Sequence, residues 1–195
     1  MNDRVGAPSI MRRPLRHLLL LAAVLPGIAA CSAGLQGDVY RGQGFAFHVG
    51  SVPETWREVP ITHAALAFRD EQDGASIVVN GRCGVDGEDV PLEALTQHLF
   101  LRFTEREILE QKVVPFDHRE AMRTVLTAKL DGVPMKFEIW VLKKDGCVYD
   151  LAYLAPPTHF DRGAPGFERF VSGFFTLPAD RPGAVRDSLP AGSHE

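Results

Sequence analysis

Between Gly44 and Ala155 the apolar residues fall at every second position in short runs, and polar turn residues separate the runs. Phe45, Phe47 and Val49 alternate with Ala46 and His48, which predicts a half-buried strand over 44–50. The turn that follows, 52–56, carries Trp56, a large aromatic expected to plug the core at the sheet edge. Residues 64–70 and 76–83 read as two strands joined by Glu71-Gln72-Asp73-Gly74, with Asp-Gly as the hairpin signal. A second run of strands opens at 112–116, where Pro115 suggests an edge position or a bend. Over 121–131 the spacing of Met122, Val125 and Leu126 is partly helical. The β-branched Thr124, Val125 and Thr127 and the Asp131-Gly132 turn favour a strand there. Residues 135–144 give the clearest strand. Met135, Phe137, Ile139 and Val141 share one face; Lys136, Glu138, Trp140 and Leu142 share the other. Lys144-Asp145-Gly146 turns the chain, and 147–155 returns with Cys147, Tyr149, Leu151 and Tyr153 on one face.

Two stretches change to a helical period. In 91–110, Leu92, Leu95, Leu99 and Phe103 repeat at three and four, with Phe100 and Ile108 beside them. Pro91 suits a first helical turn, and Asp89 sits where a cap would be. His98 reads as a surface or packed helix residue. The loop before it, 84–89, holds Asp86, Glu88 and Asp89, but it lacks the twelve-residue calcium ladder and its terminal Glu. After Pro156-Pro157 stops the sheet, Phe160, Phe167, Phe170, Val171, Phe174 and Phe175 mark a second amphipathic helix from Pro165 or Gly166 onward. The order of elements predicts an α+β domain over 44–177, an antiparallel β-sheet packed by two main helices. The Gly-rich segment 31–43 reads as a tether. The Pro-rich segment 178–195 has few apolar residues and is expected to be disordered.

The chain's longest apolar run lies elsewhere. Arg12, Arg13 and Arg16 precede Leu18 to Ala30, about a dozen apolar residues that end in small ones. This is a secretory signal pattern over 1–30, too short for a permanent span. Met11 is an alternative start. Removing 1–30 takes away four Arg and Asp3, so 17 of 21 basic and 24 of 25 acidic side chains remain, a net charge near −7. No basic cluster is left, which excludes nucleic-acid binding and electrostatic adhesion to anionic lipid.

Ile28-Ala29-Ala30-Cys31 resembles a bacterial lipobox. The resemblance implies cleavage before Cys31, acylation of Cys31 by three chains, and a mature domain tethered to a membrane. Ser32 is compatible with outer-membrane sorting, so the expected place is the bacterial cell envelope, facing the periplasm. In that oxidising compartment the remaining pair, Cys83 and Cys147, reads as a disulfide, with two buried free thiols as the alternative. A zinc site is not expected, since neither cysteine has a second Cys or a His within four residues.

Phe45 to Val49 with Pro53-Glu54-Thr55-Trp56 at the front resembles the PsbP/Mog1-like fold. So do Tyr149 to Pro156, Phe160, and Phe167 to Phe174 at the back. The resemblance spans about 40–177 and implies an α/β/α sandwich and a non-enzymatic accessory or assembly role. Fold alone does not fix function. The sequence contains no Gly-x-Ser-x-Gly elbow, P-loop, dinucleotide fingerprint or His-Glu-x-x-His. His118 near Glu120 and His159 near Asp161 are the acid–base candidates, both in turn-like segments. No catalytic residue, cofactor or metal is therefore expected. The leading expectation is a lipid-anchored accessory protein that binds another envelope protein, with Trp140 and Leu142 as candidate surface residues if they face solvent. The alternative is a periplasmic lipid or small-molecule binding subunit of an envelope transport system, which needs a dry pocket between sheet and helix. A hydrolase without a recognisable motif ranks third.

Overall fold

The computed structural model describes residues 33–84 and 90–178, which belong to one compact unit. The signal segment, Cys31, most of the acidic loop and the tail beyond Pro178 lie outside the described residues.

The alternation read from the sequence builds a seven-stranded antiparallel sheet. Its strands are β4 (Arg57–Glu58), β5 (Leu66–Asp70), β6 (Ala75–Cys83), β7 (Phe103–Phe116), β8 (Arg119–Leu130), β9 (Val133–Lys144) and β10 (Cys147–Ala155). The order across the sheet is β4-β5-β6-β10-β9-β8-β7, so β10 closes the two hairpin systems against each other. The turns follow their chemistry. Asp131-Gly132 and Asp145-Gly146 both take positive φ, as a two-residue hairpin turn of the right twist requires. Asp117 and His118 do the same at φ 45° and 60° without a glycine.

A second, four-stranded sheet runs β1 (Gly34–Gln36), β2 (Val39–Arg41), β3 (Ala46–His48), β11 (Phe175–Leu177). This corrects the reading of 31–43 as a tether. Gly34 to Arg41 is a hairpin whose Val39 and Tyr40 pair with His48 and Phe47. Tyr40 is buried and stacks on Phe47 at 4.9 Å. Gly and polar residues made the segment look soluble, but one buried aromatic and a ladder of backbone bonds hold it down.

The helices are also corrected. α1 covers only Leu92–Leu99, not 91–110. The chain turns at Phe100 and enters β7, where Phe103 stacks on Phe137 at 4.5 Å. Leu99 and Phe103 fit helical spacing, yet pairing of β7 along β8 satisfies a whole row of backbone groups and overrides it. α2 spans Phe160–Ser172, starting before Pro165 rather than at it. The carbonyl of Pro156 accepts from the amides of His159 and Phe160, so the Pro-Pro stop also starts the helix. The chain then leaves the helix at Gly173 and forms β11, which the sequence did not suggest.

The large sheet is buried on both faces. Ile77, Val79, Tyr149, Leu151, Tyr153 and Leu142 pack under α2 and the small sheet. Phe137, Ile139, Val141, Val148 and Leu126 pack under α1. Trp56 plugs the first core at 6.2 Å from Tyr153, as its position predicts. The half-buried alternation of an antiparallel sheet thus becomes two cores back to back.

Cys83 and Cys147 form a disulfide, facing each other across the β6–β10 pair. They are 64 residues apart, and the chain-entropy model gives such a loop about 4 kcal/mol. Replacing both by Ser should cost about 2–4 kcal/mol in urea unfolding under oxidising conditions. An unchanged midpoint would show that the bridge adds nothing.

A glycine contact joins the two layers. Gly50 donates to the Phe170 carbonyl at 3.1 Å. A Cβ on Gly50 would lie 2.2 Å from the Arg169 carbonyl oxygen, and one on Gly173 would lie 2.4 Å from the Gly50 Cα. The obstacle is backbone on both sides, which cannot give way cheaply. Gly50→Ala should therefore lose at least about 2 kcal/mol. Gly34→Ala, with nothing within 4 Å of the new carbon, should stay within about 0.5 kcal/mol of the parent. Equal losses in the two variants would rule out close approach as the cause.

Candidate binding groove

α2 ends at Ser172, short of covering β8 and the tip of the β7–β8 hairpin. A groove of about 550 Å³ remains between the second half of α2, strand β9 and that tip. Trp140 and Phe116 stand on one side with ring centroids 5.0 Å apart. Phe174, 5.6 Å from Phe116, closes the back, and Phe175 stands at the mouth, 41% exposed. Val171, Glu168 and Ser172 of α2 form the opposite wall.

Of the two sequence-predicted surface residues, one belongs here. Trp140 is half-buried and lines the groove. Leu142 does not: it is fully buried, packed in the core under α2 and the small sheet. The alternation placed Trp140 and Leu142 correctly on one face, but that face is covered over Leu142 and open at Trp140.

Polar contacts fix the groove's walls. Glu138 Oε1 accepts from Arg123 Nε at 2.8 Å and from Trp140 Nε1 at 3.0 Å. Arg123 Nη1 also donates to Glu110 Oε2 at 2.6 Å, and its guanidinium lies 6.0 Å from the Trp140 ring centre. Desolvation pulls the Arg123 pKa down, but its bonds and charge attraction to Glu138 and Glu110 outweigh it and leave it raised. Lys112 and Arg123 hold the exposed Glu110 below its usual range.

Asp117 anchors β11 to the hairpin tip. Its Oδ2 accepts from the amide of Thr176 at 2.9 Å and the Thr176 hydroxyl at 2.8 Å, and pairs with Lys144 Nζ at 2.9 Å. These ties hold Asp117 in its left-handed conformation. His48 reinforces the same junction. Its Nδ1 bonds the Gly173 carbonyl at 2.8 Å, its Nε2 pairs with Asp38 at 2.7 Å, and its ring stacks on Phe175 at 4.5 Å.

The adjacent acid–base candidates are not brought together. His118 lines the groove mouth, while Glu120 lines a separate polar concavity with Leu92, Arg119 and Lys143. His159 Nδ1 contacts the Asp73 carbonyl at 3.1 Å, and Asp161 pairs with Lys136 at 3.4 Å. Among the described residues no group of three His, Cys, Asp or Glu side chains is arranged to hold a metal. No described helix is long and apolar enough to cross a membrane. The residues missed by sequence reading are Phe116, Glu138 and Phe175. The one available signal was a turn, Asp117-His118, that needs positive φ and has no glycine.

No protein-family model matches the chain, and no curated protein matches it in sequence. Solved structures do match in fold. The cyanobacterial PsbP of Synechocystis sp. PCC 6803 is 14% identical with a TM-score of 0.50, covering 80% of this chain and 99% of that one. LpqN of Mycobacterium tuberculosis, described as involved in cell envelope biogenesis, is 14% identical with a TM-score of 0.51, covering 70% and 87%. The Ran-binding protein Mog1p of Saccharomyces cerevisiae is 12% identical with a TM-score of 0.50, covering 73% and 95%. The chain spans 49% of a larger Bacteroides thetaiotaomicron protein that it also matches. The domain therefore has the α+β PsbP/Mog1-like fold that the sequence resembles.

Asp117 gives a pH test. Burial pushes its carboxyl up, but the bonds from Lys144 and Thr176 outweigh burial and hold it below its ordinary 3.8. A lowered folded pKa contributes stability above the unfolded value and loses it as pH falls through the folded one. Asp117→Asn should cost about 1–3 kcal/mol at neutral pH, with faster amide exchange in 175–177. The gap to the parent should close as pH falls below about 4. Asp150, whose carboxyl is pushed up by burial against Arg82, cancels because both proteins carry it. A gap that persists unchanged in acid would contradict the role of the ionised carboxylate.

Proposed function

We propose that this chain is a lipid-anchored accessory protein of the bacterial cell envelope. It is held at Cys31, faces the periplasm from the outer membrane, and binds another envelope protein in the groove between α2 and the β7–β8 tip. It performs no catalytic step. The observation that carries the reading is the groove itself: Phe175 stands exposed at its mouth and Trp140 lies half-buried inside, on a frame fixed by partly buried hydrogen bonds. Exposed aromatics on rigid supports are what a protein interface uses as anchors. The likeness to LpqN, described as an envelope-biogenesis protein, and to Mog1p, described as Ran-binding, supports a binding role in the envelope.

The carrier reading is the alternative. A volume near 550 Å³ is large enough for a small molecule. Carboxylates on the wall make it a poor home for a lipid tail, because a buried charge needs a partner.

Crosslinking in native envelopes, followed by purification and mass spectrometry, tests the reading. The mature chain should capture one reproducible envelope protein, and Phe175→Glu should lose it while keeping its fold. Cys31→Ser should move the protein from the membrane to the soluble fraction. A lipid or small molecule retained with no protein partner would put the carrier reading first.

A further inference from the structure

Three carboxylates line the groove, those of Asp117, Glu138 and Glu168, and no Lys or Arg lines it. They differ in what they leave free. The Asp117 side chain is only 4% exposed, and its Oδ2 is held by Lys144 and Thr176. The Glu138 side chain is 9% exposed; its Oε1 carries both hydrogen bonds, from Arg123 and Trp140, and its Oε2 has no hydrogen-bond partner among the described residues. Glu168 on α2 has no ion-pair partner among the described residues. The rings of Phe116, Trp140, Phe174 and Phe175 line the same groove.

Ring faces carry the negative end of the aromatic quadrupole and attract cations within about 6 Å. A mostly buried carboxylate, an exposed one and several aromatic rings lining one groove suit an ammonium or guanidinium on an apolar stem. Two cations already sit behind the wall. Arg123 is shared between Glu110 and Glu138, and Lys144 is paired with Asp117. Each is matched by carboxylates, so the charge that remains at the groove is that of Glu168. An anionic guest would meet that carboxylate and the unbonded Glu138 oxygen.

Resting on the reading of the groove as a protein-binding site, we propose that it receives a Lys or Arg side chain carried on an apolar segment of the partner protein. The aromatic walls take the stem and neighbouring apolar residues, and Glu138 Oε2 and Glu168 take the charge.

The test pans the mature chain against random heptapeptides displayed on phage and then measures synthetic copies of the enriched peptides. Enriched peptides should carry Lys or Arg beside an apolar or aromatic residue. Norleucine in place of that Lys should weaken binding about tenfold, and Glu138→Gln and Glu168→Gln should each weaken it about fivefold. The bound peptide should shift the Trp140 indole N–H signal in a nitrogen-15 spectrum. Glu168 is exposed, so its variant stays informative even where Glu138→Gln perturbs the fold. Enriched peptides without a basic residue, or binding unchanged in Glu168→Gln, overturn the proposal. If such uncharged peptides still shift Trp140, the protein-binding reading survives without it. Tetramethylammonium alone shifting Trp140 with the affinity of the peptides would assign the site to small organic cations and overturn the protein source. No enriched peptide together with no captured envelope protein would remove both readings.

Discussion

The approach of Gly50 to Gly173 sets the geometry of everything around the groove. At this point the loop after β3 and the end of α2 meet with no side chain between them. The contact lets the helix end at Ser172 and the chain turn at once into β11, which pairs with β3. Phe174, just before β11, and Phe175 within it reach the back and mouth of the groove, and β11 brings Thr176 to Asp117. Adding a methyl group at either glycine would push helix and small sheet apart. The aromatic wall would then lose its support.

The groove exists because coverage of the large sheet is incomplete. α2 reaches β6 and β10, and the small sheet covers the area toward Tyr149. Along β8 on that face the cover thins: Ala121 is buried in this core, but Arg123 beyond it stays partly exposed. There the sheet places Arg123, Glu138 and Trp140 instead of a third apolar row. A half-buried Arg between two carboxylates contributes little to stability, because desolvation offsets most of the attraction. Its effect is to orient Glu138 and Trp140 and to leave one carboxylate oxygen unbonded.

Much of the fold was legible because a strand with one buried face writes its period directly into the sequence. The 135–144 and 147–155 strands, their faces and the hairpin at Asp73-Gly74 all followed from alternation and turn chemistry, and the cysteine pairing followed from an even cysteine count in an exported chain. The longest predicted helix was cut short at Leu99, because the Leu99–Phe103 spacing satisfies both periods. Only the partner strand β8 chose between them. The small sheet was illegible for a related reason: β1, β2 and β11 are three residues each, too short to show any period.

The sequence by itself determined strands β5, β6, β8, β9 and β10, which residues share each face of β9, and the cysteine pair. Each of these depends on residue identity at short spacing. Only the tertiary structure decided that Leu142 is core while Trp140, two residues away on the same face, lines a groove. Side-chain period reports which face a residue points to, but whether that face is covered depends on where α2 stops and where β11 folds back. Those endpoints are set by the backbone contact of Gly50 with Gly173 and by the hold of Asp117 on Thr176, and each joins segments more than fifty residues apart.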